Sequence, residues 1–160
     1  MIRPGYCAAL ALFAAVCLVP HGARSQTAKA KGPRLEPVAE NKLLMNGLAE
    51  PNFKGLGKML AVKPKDDEAW EFARGRALLI AETGNLLMIR PPRAKEPQNL
   101  WMNQGTELRD AAVILARAAA AKDYVKARAA LAGVANVCNR CHKSAGVPHR
   151  VQPFPAEEKE

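Results

Sequence analysis

The chain has 160 residues, of which 49% are hydrophobic and 5% aromatic, and 24 Lys and Arg against 15 Asp and Glu give a formal net charge of +9. That length supports one domain with a real core, and the basic excess favours acidic partners or anionic surfaces only in a general way. No basic run is interleaved with stacking aromatics, which speaks against a nucleic-acid partner.

Chain order begins with Arg3 and then "YCAALALFAAVCLV" (6–19), an apolar run too short to span a bilayer comfortably. Pro20 and Gly22 break the run, and Ala23 and Ser25 supply small residues before a cut. The pattern predicts a signal peptide over residues 1–25 and export to the periplasm, with a retained anchor as the alternative on length. A lipid anchor at Cys17 is disfavoured, because Val16 stands where a small residue is wanted. Cleavage removes Cys7, Cys17, Arg3 and Arg24, leaving 22 basic against 15 acidic residues and only Cys138 and Cys141. An exported domain with two cysteines is not a disulfide scaffold, so its stability must come from its core. No later stretch is long and apolar enough to span a membrane, so none is expected in the mature chain.

Residues 26–34, "QTAKAKGPR", read as a flexible lead-in. The first helical region, 35–62, has helical character on both sides of Pro51, where a kink or short break is expected. The clearest helix covers 66–90: Trp70, Ala73, Ala77, Ile80, Gly84 and Leu87 repeat at 3-4-3-4-3 spacing, behind Asp66, Asp67 and Glu68. A third helix is predicted at about 100–121, with Trp101, Leu108, Ala112, Leu115 and Ala119 as its buried stripe. Asp123 is placed to cap a last helix over 124–144, with Tyr124, Leu131, Val134, Cys138 and Cys141 on one face. Residues 146–160, rich in proline and charge, read as an irregular tail. The expected fold is all-α, an antiparallel four-helix bundle spanning 35–145.

No phosphate-binding glycine loop, HExxH, acidic calcium loop or nucleophile-elbow serine occurs, and past residue 25 the only histidines are His142 and His149. Hydrolytic chemistry therefore has little material, and no enzyme activity is expected. The chemistry-bearing stretch is "CNRCH", 138–142. A CxxC pair serves as a redox dithiol, as part of a zinc site, or as the anchor of a covalent cofactor. Zinc needs four converging ligands, whereas here all candidates lie within twelve residues and His142 directly follows Cys141. A thioredoxin-like dithiol belongs at a helix start after a strand, but these cysteines fall near the end of a helix. Two inert buried thiols would leave the adjoining histidine without a part. CxxCH is the signature of c-type haem attachment: Cys138 and Cys141 take the two vinyl groups and His142 the iron. Such proteins mature after export, which agrees with the predicted leader.

With the motif near its C-terminal end, the chain resembles the class II cytochromes c, the cytochrome c-prime group. The resemblance covers roughly 36–144 and rests on CNRCH in the last helix, with softer support from "NKLLMNG", "NFKGLGKML" and "LW" at 100–101. It departs from the family in "KSAGVPHR" after the motif histidine and in Pro51. The resemblance implies one covalently attached haem c per chain, held among the helices. It further implies that a residue of the first helix faces the iron's other side. Met45 is the candidate for that ligand, giving a monohaem carrier of single electrons between redox proteins. The alternative is an iron left five-coordinate that binds small gases, and a third reading is an exported helical module without haem. Lys54, Lys58, Lys63 and Lys65 would steer a partner with an acidic docking surface. Pairing into homodimers is a family habit.

Overall fold

The computed structural model describes residues 34–90 and 97–154. The predicted leader (1–25), nearly all of the lead-in, the loop 91–96 and the last residues, 155–160, lie outside the described residues. Four helices and no strand occur among the described residues. Helix α1 (residues 41–59) consists of Asn41–Leu44, a π-helical turn Met45–Ala49, and Glu50–Met59. Helices α2 (Asp67–Met88), α3 (Gln98–Ala120) and α4 (Tyr124–Ser144) come next. None of the described helices is long and apolar enough to cross a membrane.

The expected disturbance around Pro51 takes a specific form. Proline has no N–H to give, and its ring crowds the carbonyl four residues back. The turn before it widens by one residue, so that the Glu50 N–H reaches the Met45 carbonyl, and Pro51 falls in the first turn of the next α-helical stretch. The helix is thus continuous and locally wider, with Met45 opening the wide turn. Leu44, Phe53, Leu56 and Leu60 carry its apolar side into the core.

Helix α2 starts where Asp66 accepts the Ala69 N–H at 2.8 Å, with Asp67 and Glu68 in the first turn complementing the helix dipole. All six stripe positions from Trp70 to Leu87 are buried, joined by Ala81 and Thr83. The Thr83 hydroxyl, fully enclosed, donates to the Leu79 carbonyl within the helix. Against α2 lies α3, whose predicted stripe from Trp101 to Ala119 is also buried. The two helices meet at glycines: a Cβ on Gly84 would stand 2.6 Å from the Gly105 carbonyl oxygen. Nearby, the Trp101 indole N–H donates to the Leu87 carbonyl at 2.8 Å.

Helix α3 ends in a left-handed residue that is not glycine, Lys122, with φ 53°. Its N–H bonds the Ala119 carbonyl and that of Asp123 bonds Ala118, closing a Schellman motif. The Asp123 carboxylate then accepts the Lys126 N–H at 3.0 Å and starts α4, as its position in sequence predicts. From α4, the Arg128 guanidinium and the Tyr124 hydroxyl reach the Leu60 and Ala61 carbonyls at the C-terminal end of α1. These groups satisfy acceptors that a helix end leaves open, and Arg128 adds a positive charge where the dipole favours it.

Candidate haem-attachment site

The site is built on the last turns of α4. Leu131, Val134 and Ala135 lie buried one to two turns upstream and fix the rotation of this helix against the bundle. That rotation leaves Cys138, Cys141 and His142 half-buried, at the boundary between core and solvent. Spaced three apart, the two sulfurs share a face, and neither cysteine is in a disulfide. Burial, reinforced by the neighbouring Cys141, pushes the Cys138 thiol up to about 12, so it stays protonated at neutral pH.

His142 is held by the segment just past the end of α4. Gly146 sits in the left-handed region with φ 68° and closes a second Schellman motif: the Gly146 N–H bonds the Lys143 carbonyl and the Val147 N–H bonds that of His142. The chain turns back, and the His149 carbonyl comes within 3.0 Å of His142 Nδ1. A carbonyl only accepts, so Nδ1 carries the proton in this bond. Burial lowers the imidazole below its usual range, against the raising effect of that hydrogen bond, which makes the neutral ring the species at pH 7. A neutral ring protonated at Nδ1 presents its lone pair at Nε2, the state in which histidine binds a metal. The His149 ring lies beside it, centroids 5.6 Å apart.

Residues 147–154, the described part of the predicted tail past Gly146, have no helix or strand, yet they are fastened along the bundle. The Asn139 side chain pairs with the Val151 backbone in both directions, each bond 3.0 Å long. Phe154 lies under the Arg128 guanidinium at 3.8 Å, and a Cβ on Gly57 of α1 would stand 2.7 Å from the Pro153 carbonyl oxygen. Between α1 and this tail runs a groove of about 390 Å³ with Phe53 and Gly57 among its walls and Lys54, Lys58, His149 and Arg150 on its polar side. Lys54 is also paired with Glu50 at 2.6 Å, and this contact lowers the Glu50 carboxyl below its ordinary range.

Of the residues singled out in sequence, Cys138, Cys141 and His142 come together. Met45 is half-buried on α1 and packs against the core. It is not among the residues lining the groove beside His149. Phe53, Leu56 and Trp70 are core residues. Met88 accepts a hydrogen bond from Thr106 at its sulfur, 3.3 Å away. Lys63 and Lys65 are exposed. The part played by the His149 carbonyl was missed in sequence, although Gly146 and Pro148, just past the helix, are the residues that mark such a reversal. The donor set suits a haem of the c type: two thiols of the required spacing and an imidazole with Nε2 available. Among the described residues, no three His, Cys, Asp or Glu side chains gather as a metal-binding group. Compared with protein-family models, curated proteins and solved structures, the chain matches none.

Proposed function

We propose that the chain is an exported, periplasmic monohaem c-type cytochrome of class II type that carries single electrons between redox proteins. The observation that carries this reading is the set of three groups at the end of α4: two half-buried thiols one turn apart, and an imidazole pinned through Nδ1 with Nε2 open. Cys138 and Cys141 would hold the porphyrin through thioethers and His142 would bind the iron. Bound there, the haem supplies a one-electron Fe(III)/Fe(II) couple. The rest falls to the protein: the buried stripe of α4 keeps the attachment face against the bundle, and the His149 carbonyl holds the proton on Nδ1.

Support for an antiparallel bundle lies in the order of contacts between α2 and α3. Asp67 meets Lys122, Gly84 meets Gly105, and Leu87 meets Trp101, so one helix descends as the other rises. The class II assignment rests on CNRCH standing in the last helix of such an all-helical chain. Met45, a half-buried thioether at the start of a π-helical turn, would be the second residue to hold the iron. Turns of that kind recur at functional sites. The second reading, an open iron that binds small gases, is favoured by the packing of Met45 against the core. Lys54, Lys58 and Arg150 offer a basic rim to an acidic partner.

The experiment is expression of the full chain with export and haem maturation, followed by denaturation and acid extraction. Haem that stays with the polypeptide, and becomes extractable when Cys138 and Cys141 are both replaced by alanine, supports the proposal. A chain recovered without haem from a host that matures other c-type cytochromes refutes it.

A further inference from the structure

The tail beyond α4 makes no helix or strand up to residue 154, yet it is held by the Gly146 turn on one side of His149 and through Val151, Pro153 and Phe154 on the other. The Gly146 Schellman turn reverses the chain directly beneath His142. Asn139, one turn before His142 on α4, holds Val151 through two hydrogen bonds. Two residues before Val151 is His149, whose carbonyl meets His142 Nδ1. On the far side, Gly57 leaves the space that the Pro153 carbonyl occupies, and Phe154 is clamped by Arg128. Arg150 adds a further brace by donating to the Val147 and His149 carbonyls, both at 3.1 Å.

We propose that residues 146–154 form a positioning strap for His142, anchored by Asn139 on α4 and by Gly57 on α1, which fixes the ring's orientation and tautomer through the His149 carbonyl. The inference rests on the reading that His142 binds iron, and it adds the residues that hold it there. A partner on the second ring nitrogen sets which nitrogen is free and makes the ligand a stronger donor. A stronger donor stabilises the more oxidised metal, so the strap lowers the reduction potential relative to an untethered imidazole. Neither anchor touches the imidazole, so each acts only through the strap.

The test uses the full exported chain and two variants that loosen the strap from opposite sides. Asn139→Ala removes both bonds to Val151. Gly57→Ala sets a Cβ 2.7 Å from the Pro153 carbonyl oxygen and pushes the strap outward. Two readouts are taken: the midpoint potential, and the solvent exchange of the His142 Nδ1–H by NMR. Both variants should raise the potential and speed exchange about tenfold, the effect of losing one hydrogen bond of ordinary net strength. Asn139→Asp, which keeps the acceptor for the Val151 N–H, should fall between parent and Asn139→Ala. Unchanged potential and exchange in both variants would overturn the proposal, even if their melting temperatures fell. Should the chain carry no haem, the electron-carrier reading fails separately. Exchange at Nδ1 and the tautomer of His142 in the haem-free chain still decide whether the strap holds the ring.

Discussion

Gly84→Ala places one methyl group where α2 and α3 come closest. The new carbon would stand 2.6 Å from the Gly105 carbonyl oxygen, 2.8 Å from the Arg109 backbone nitrogen and 3.0 Å from the Arg109 Cβ. Ordinary contact begins at 3.4 Å, so the helices must part by about 0.8 Å. The first two atoms belong to helix backbone and cannot swing away. Overpacking of this kind costs about 1–3 kcal/mol. Against it, alanine in place of glycine inside a helix returns about 1 kcal/mol. Because the obstacle is backbone, the upper part of the range applies, and the net loss is about 1–2 kcal/mol. Gly75→Ala, in the same helix, meets nothing within 4 Å and should gain about 0.5–1 kcal/mol. Urea unfolding followed by helical circular dichroism reads both as opposite shifts of the midpoint at constant slope. A Gly84→Ala protein as stable as the parent, or a Gly75→Ala protein that loses as much, would refute this packing of α2 on α3.

Met45→Ala should convert a low-spin ferrous spectrum that ignores carbon monoxide into a high-spin one that shifts with it. A parent protein that already binds carbon monoxide would instead assign the iron an open face. Asp66→Ala removes the carboxylate that accepts the Ala69 N–H and should lower stability by about 1 kcal/mol, read as a denaturant midpoint. Hydrogen bonding to the Lys126 backbone, and then to its side chain, holds the Asp123 carboxyl below its ordinary 3.8. A depressed carboxylate stabilises the fold above its unfolded value and loses that contribution as pH falls through the folded value. Stability of the parent should therefore decline below about pH 4, and Asp123→Asn should flatten that acid decline without changing the fold. A parallel acid limb in the variant would contradict the cap's part in it.

The bundle was readable because α2 and α3 bury one stripe each at regular spacing, and every residue of those stripes lies inside. The Asp123 cap was readable for the same reason: its chemistry is local to four residues. That Cys138, Cys141 and His142 stand together was legible because they lie within five residues of one helix. The features that resisted reading depend on backbone carbonyls and on contacts distant in sequence. The widened turn at Met45 results from Pro51, yet a proline at that place allows a kink, a break or a π-helical turn, and only tertiary packing chooses among them. Arg90 is buried at the end of α2 with its guanidinium on the Ala39 and Leu86 carbonyls, a role that no periodicity signals. The strap was read as an irregular tail because its ties use an asparagine amide, a carbonyl and the bare face of Gly57. Val151 and Phe154, both packed partly buried against the core, are the residues there whose burial hydropathy favoured.

Covalent haem at CNRCH is tested most directly by a pyridine haemochrome spectrum of the exported protein, compared with Cys138→Ala and Cys141→Ala. The parent should show one haem per chain with the spectrum of two thioether links. Each single variant should show the shift expected when one vinyl group stays unsaturated. A parent spectrum of unattached haem, or of none, would contradict the assignment.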